Sequence, residues 1–253
     1  MSSLVLVTGG TGTLGRLVVD RLRRCDHQVR VLSRHRHDDR DGVGHVLGDL
    51  VAGTGIDAAV AGTTTIVHCA SDRTGDDTAA QHLVQAAAAR PDPPHLVHVS
   101  IVGVDRLRWW YFRAKLAAEQ AVVRSGLGWT VLRATQFYDL IARGAGTLGR
   151  LPVVPVPAGF RVRPVDPVDV AERLVELALG APAGRVPDLG GPAEASFADL
   201  IRTYLKVTGR RRPVLPVPVP GLGAVRAGAL LPDRGATVAA GRTWEEYLAD
   251  RRD

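Results

Sequence analysis

The first clear pattern is a continuous apolar run from Leu4 to Thr8 that ends in glycines. After it comes LGRLVVDRLRRC, in which Leu14, Leu17, Val18 and Leu22 recur at helical spacing. Strand, tight turn and helix are the elements this predicts. The alternation continues: VRVLSR (29–34) and HVLGDL (45–50) read as strands, 56–61 as a short helix, TTIVHCA (64–70) as a strand and AAQHLVQAAAA (79–89) as a helix. PHLVHVS (94–100) is the next strand after a proline-rich turn. FRAKLAAEQAVVRS (112–125) is helical, with Gly126 and Gly128 at its end, and WTVLRA (129–134) is strand again. These strands are apolar on both faces, the mark of a parallel sheet buried between two helical layers. The expected fold class is α/β, a doubly wound parallel sheet of the Rossmann type. Right-handed crossovers favour the strand order 3-2-1-4-5-6.

Beyond residue 134 the texture changes. Glycine and proline crowd RGAGTLGRLPVVPVPAG and the last forty or so residues, interrupted by a helix expected at 167–180 (PVDVAERLVELALG). A single domain over 1–253 is expected, with a small C-terminal substrate-covering lobe formed from about 136–162 and 185–253, because open α/β sheets take ligands beyond the carboxyl ends of their strands. The proline-rich stretch 213–235 suits either closure over a ligand or a subunit contact, and monomer and homodimer both stay open.

Composition narrows the setting. With 253 residues, 45% of them hydrophobic, the chain can bury a full core. MSSLVLVTGG has neither a basic flank nor a cleavage site, so it reads as a strand and not as a signal peptide, and prolines with Arg226 break the later apolar stretch, so no membrane span is expected. Cys25 and Cys69 stand in no metal-type spacing, so neither a metal site nor a disulfide scaffold is expected and a reducing cytoplasm is the natural location. The net charge of +6 would suit nucleic acid, but the arginines are scattered and do not alternate with aromatic residues. An anionic small ligand is the more economical partner.

The loop TGGTGTLG (8–15) supplies a reason for that anion. It follows the first strand and opens the first helix, where unpaired N–H groups and the helix dipole favour a pyrophosphate and glycines let it approach. Gly9, Thr11, Gly12, Thr13, Leu14 and Gly15 are the candidate contacts. The second strand closes with Ser33 and Arg34, and no acid follows until Asp38, so a 2′-phosphate is welcome there and NADP(H) is expected in preference to NAD(H), with Arg16 as a further contact. Asp49, beside Leu50 at the third strand end, suits the adenine amino group. The small residues Cys69, Ala70 and Ser71 at the fourth let the adenosine ribose lie close.

The stretch WWYFRAK (109–115) carries the candidate chemistry. The chain has only two lysines, Lys115 and Lys206, and four tyrosines, so a Tyr-x-x-x-Lys pair arises by chance about 0.03 times. Tyr111 and Lys115 are i and i+4 on one helical face, where a nearby ammonium is expected to lower the tyrosine pKa and make it a proton donor or acceptor. Ser100, at the end of the preceding strand, can hydrogen-bond the same substrate oxygen. Trp109, Trp110, Phe112, Phe137 and Tyr138 stand near these residues in sequence, and Trp109, Trp110, Phe137 and Tyr138 are the candidates for a hydrophobic, flat substrate such as a quinone or an aromatic ketone.

Together TGGTGTLG, HCAS (68–71), HVSIVGVD and YFRAK resemble the short-chain dehydrogenase/reductase superfamily. LRATQFYDLI (132–141) and RPVDPVDVAERL (163–174) are similar to its atypical, NAD(P)H-binding and NmrA-like branch. The resemblance covers essentially the whole chain and is strongest over 1–180. It implies Ser100, Tyr111 and Lys115 as the catalytic set, with Lys115 also holding the nicotinamide ribose, and Thr135, Gln136 and Phe137 bordering the nicotinamide. The asparagine that many relatives carry on the helix after strand four has no counterpart in DDTAAQHLVQAAAA. The function expected is an NADPH-dependent oxidoreductase that transfers hydride to a carbonyl or quinone of a small hydrophobic molecule. A redox-neutral dehydratase, epimerase or cyclase on the same fold, and a non-catalytic NADP(H) sensor, are the alternatives.

Overall fold

The computed structural model describes residues 3–39, 42–72 and 74–251. They form two compact units, the first made of described residues within 3–100, 108–133 and 170–186, the second of those within 101–107, 134–169 and 187–251.

The first unit is built on six strands: β1 (Leu4–Thr8), β2 (Gln28–Ser33), β3 (Val43–Leu47), β4 (Thr65–His68), β5 (His95–Ile101) and β6 (Trp129–Ala134). They lie side by side in the order β3-β2-β1-β4-β5-β6, all parallel where their register is defined, so the order expected from the crossover rule is the one found. The sheet is mixed α/β and Rossmann-like. Its connections are α1 (Thr13–Arg24), the short α2 (Ile56–Val60), α3 (Asp76–Ala88) and α4 (Trp110–Val123). The helix Pro167–Leu179 starts on a proline, whose missing N–H costs nothing at that position, and from Val170 onward it belongs to this unit.

Hydrophobic spacing explains the layers. α1 buries Leu14, Val18, Val19 and Leu22, while Leu6, Leu32, Ile66 and Leu96 of the strands share one core with Leu83 of α3 and Val122 of α4. α3 buries mainly alanines, Ala79, Ala80 and Ala87, and packs against α4. α3 begins three residues earlier than its apolar pattern predicts, because Asp76 and Asp77 form a polar first turn that suits the positive end of the helix dipole. On α4 the buried stripe is Lys115, Ala118, Glu119 and Val122: helical spacing, but two charges in an interior row. β1 is flanked by β2 on one side and β4 on the other, so the strand order reverses at the carboxyl end of β1, where the glycine loop lies.

The second unit has its own core, in which α5 (Tyr138–Leu148), the strand Val154–Pro157 and the helix Phe197–Val207 contribute Ala145, Val154, Val156, Ala198, Ile201 and Leu205. The proline-rich stretch is partly regular there, with Val214–Val217 pairing parallel to Val154–Pro157 and a helical turn at Gly223–Arg226. Among the described residues no helix is long and apolar enough to cross a membrane.

Candidate active site

At the end of β1 the chain turns sharply through Gly9, whose φ is +69°. A Cβ there would come within 2.7 Å of Ala70 at the end of β4, and one on Gly15 would lie 2.1 Å from the Gly9 carbonyl. These two glycines therefore set the close packing of loop, helix and strand. Gly12 is different: it is exposed, it caps α1, and an added Cβ would meet only the Gly9 carbonyl, at 3.2 Å. Thr11 is exposed beside it, and the first turn of α1 carries no acidic residue. The cradle thus offers backbone and helix dipole to an anion and nothing that repels one.

The other strand ends are more mixed. Ser33 is buried and its hydroxyl accepts the His35 N–H at 3.2 Å, while the exposed Arg34 stands 3.7 Å from Asp72. Asp49 already accepts the N–H groups of Val51 and Ala52 at 2.8 and 3.2 Å, so one of its oxygens shapes its own turn, and Leu50 is buried. Burial pushes the Cys69 thiol up to about 12, with the Lys115 ammonium pulling the other way, so it stays protonated at neutral pH.

Tyr111 and Lys115 both lie on α4, one turn apart as expected, but their electrostatics differ from expectation. Lys115 is buried, and its Nζ lies 3.1 Å from Oδ2 of Asp76, equally buried at the start of α3. The other Asp76 oxygen accepts the Asp72 N–H at 2.7 Å. Burial and the Asp76 carboxylate push the Tyr111 phenol above its usual range, and a hydrogen bond with Ser71 only partly opposes this. The expected lowering of the Tyr111 pKa is therefore corrected: a neighbouring carboxylate answers the ammonium, and the tyrosine is held as a phenol.

Behind this pair the floor is a row of polar groups. Thr8, His68 and His98 face one another in register across β1, β4 and β5, with Thr8 Oγ1 2.7 Å from His68 Nδ1 and the two imidazoles stacked at 5.1 Å. Both histidines are kept neutral. Burial lowers His68 to about 3, helped by Lys115, and lowers His98 well below its usual value, helped by His68 and Lys115. The hydroxyl of Ser100 is 1% exposed and, like both ring nitrogens of His98, has no hydrogen-bond partner among the described residues. Asp76, His68 and His98 went unread in the sequence. Asp76 and Lys115 are far apart along the chain, and the histidines lie in runs that read as plain buried strand.

The aromatic candidates divide. Trp109 and Trp110 are exposed, and the Trp110 ring stands edge-on to Tyr111 at 5.9 Å. Tyr138 is corrected: it is 2% exposed, packed at 5.4 and 5.1 Å against Trp244 and Tyr247, and its hydroxyl donates to the Arg242 carbonyl. It is core of the second unit. Thr135, Gln136 and Phe137 belong to that unit as well. The Thr135 hydroxyl is spent on the Arg163 carbonyl at 2.6 Å, Phe137 caps α5, and the side-chain carbonyl of Gln136 is buried with no hydrogen-bond partner among the described residues.

Comparison with known proteins fits this geometry. Residues 9–179 match the family model described as NAD(P)H-binding. The chain belongs to that family. It is 32% identical over 217 residues to the (4-alkanoyl-5-oxo-2,5-dihydrofuran-3-yl)methyl phosphate reductase of Streptomyces griseus, covering 82% of this chain and 74% of that one. It is 29% identical over 231 residues to the photosystem II assembly factor Ycf39 of Trieres chinensis, covering 85% of this chain and 72% of that one. Of an uncharacterised Mycobacterium tuberculosis protein, 28% identical over 232 residues and matching 90% of this chain, it spans only 25% of the length. Among solved structures, the NADPH complex of the Escherichia coli quinone oxidoreductase superposes with a TM-score of 0.81 over 98% of this chain and all of that one, at 16% identity, which shows a shared fold. The reductase among the relatives supports an oxidoreductase in general.

Proposed function

We propose that the protein is an NADPH-dependent reductase that transfers hydride to a carbonyl or quinone carbon of a small hydrophobic molecule. The observation that carries this reading is the placement of Tyr111: on α4 one turn before the buried Lys115, with the exposed Trp110 ring edge-on at 5.9 Å and a hydrogen bond to Ser71. A protonated donor is what a carbonyl oxygen needs as it gains negative charge. The cofactor supplies the hydride when bound. Tyr111 gives its proton to the developing alkoxide, and the unpartnered Ser100 hydroxyl is a second donor for that oxygen. Lys115 keeps ammonium protons beyond its single contact with Asp76 and would hold the nicotinamide ribose hydroxyls. Gly9, Thr11, Gly12, Thr13, Leu14 and Gly15 would take the pyrophosphate, Ser33 and Arg34 the 2′-phosphate, and Asp49, Leu50, Cys69, Ala70 and Ser71 the adenosine. The missing acid at the end of β2 favours NADPH over NADH.

The kinship with a reductase whose substrate bears alkanoyl and oxo groups supports a carbonyl-bearing acceptor. The kinship with an assembly factor favours a second reading, a cofactor-binding protein that acts through a partner. NADPH consumption by the purified protein against a series of quinones and aromatic ketones separates them. Consumption with at least one acceptor, faster with NADPH than with NADH, is expected. Tight NADPH binding with no consumption across the series would sink the reductase and leave the redox-neutral and assembly-type readings.

A further inference from the structure

On the face of the sheet that packs with α3 and α4, Leu6, Ile66 and Leu96 make an apolar layer. Two residues further along the same strands, and so on the same face, Thr8, His68 and His98 stand in register. Thr8 and His68 answer each other at 2.7 Å. His98 only stacks on His68, with centroids 5.1 Å apart and planes 27° apart, and a stack cannot serve nitrogens whose hydrogen bonds lie in the ring plane. Neither nitrogen of His98 has a hydrogen-bond partner among the described residues, although the ring is buried and neutral. It therefore holds one N–H to give and one lone pair to fill, which protein interiors rarely leave unmade. The next residue on that face of β5 is Ser100, equally buried, and its hydroxyl is unpartnered too. Strand geometry sets the two backbones about 6.6 Å apart, a gap that one water spans with a hydrogen bond of about 2.8 Å on each side. On the other side of His98 along the strand stands Leu96, which offers nothing polar.

We propose that His98 and Ser100 hold one ordered water between them, and that this water sets the direction of the Ser100 hydroxyl. The His98 N–H donates to the water, the water donates to Ser100 Oγ, and the Ser100 O–H is left to donate to the oxygen of a bound carbonyl. His98 is then a positioning residue that acts on the substrate through Ser100. The water site stands on the geometry of β5, and its use in catalysis rests on the reductase reading above.

The test is a set of crystal structures without cofactor, at a resolution that shows ordered water, of the wild type, His98→Gln and His98→Phe. In the wild type a water is expected at about 2.7–3.2 Å from a ring nitrogen of His98 and from Ser100 Oγ. His98→Gln, whose amide keeps a donor and an acceptor, should keep both the water and the Ser100 rotamer. His98→Phe, which fills the space without a polar atom, should lose the water and turn the hydroxyl to another rotamer. A wild-type His98 whose nitrogens meet only protein atoms overturns the proposal, even if a variant fails to fold, and so does a Ser100 rotamer that is the same in all three. In NADPH consumption, His98→Phe is expected to lower kcat about fivefold, the worth of one hydrogen bond, at unchanged NADPH affinity, and His98→Gln to restore most of the rate. Equal losses in the two variants would mean a packing role and contradict the positioning one. The water in place in a protein that reduces no acceptor upholds the site and removes only the reductase reading.

Discussion

α4 carries two buried ion pairs one turn apart, and they are built differently. Glu119 grips Arg133 of β6 with both oxygens, at 3.0 and 2.7 Å, with the two side chains only 8% and 5% exposed. Lys115 meets Asp76 at a single point of 3.1 Å, and that Asp76 oxygen has no aligned hydrogen bond. The first pair is a closed fork whose donors and acceptors answer one another, as buried guanidinium–carboxylate pairs do when they serve packing. The second is a single contact, and its Asp76 oxygen has no hydrogen-bond partner among the described residues. Burial and charge alone do not distinguish a structural pair from a functional one. What differs between the two pairs is the completeness of the hydrogen bonding.

Breaking each pair at its acid should separate them most strongly. Glu119→Gln strands a guanidinium that cannot shed its proton, and a loss of about 3–5 kcal/mol in chemical denaturation is expected, with NADPH affinity unchanged in whatever protein remains folded. Asp76→Asn should cost less stability, because a buried lysine can release its proton, and should weaken cofactor binding instead. Equal losses in the two variants would erase the distinction.

The surroundings of the two pairs give a smaller effect that depends on pH. His68 and His98 both titrate below their unfolded value, so the unfolded chain takes up protons that the folded one refuses. Their contribution to stability is present above about pH 6.5 and is lost as the pH falls, for His68 towards about 3, at up to about 1.4 kcal/mol per pH unit for a histidine that stays neutral in the folded chain. Melting followed from pH 7 to pH 4 should show that slope, and His98→Leu should flatten it. A slope unchanged by the substitution would mean that His98 is not buried neutral beside Lys115.

What was legible in the sequence was local. Apolar runs, glycines and proline stops disclosed the strands, the strand order and the loop at the end of β1, because each depends on residues close together in the chain. The i, i+4 placement of Tyr111 and Lys115 is likewise a property of one helix. What stayed hidden depends on contacts across the fold. Asp76 reaches Lys115 from another helix, and the apolar periodicity of α3 starts only at Ala79, after the carboxylate. The missing asparagine was read correctly, but the acid that meets the lysine from that same helix was not. Tyr138 follows Phe137 directly, and no sequence pattern shows that one residue's turn of α5 carries its ring into the core of the second unit.

A third ion pair offers the mildest contrast. Arg34 and Asp72 lie 3.7 Å apart with side chains 67% and 38% exposed, so Arg34→Ala should change stability by less than about 1 kcal/mol. NADPH affinity should nonetheless fall by about tenfold, since a charged hydrogen bond to the 2′-phosphate is lost, while NADH affinity should not change. Equal losses for the two cofactors would place Arg34 elsewhere than at the 2′ position.

The most direct measurement is a pair of numbers on Tyr111→Phe: the NADPH dissociation constant by fluorescence, and the rate of NADPH consumption with the best acceptor. The expected result is an unchanged dissociation constant and a rate lower by about 10²–10⁴-fold, the usual contribution of a positioned proton donor. A rate equal to that of the wild type, at the same affinity, would contradict the assignment of Tyr111 as the proton donor.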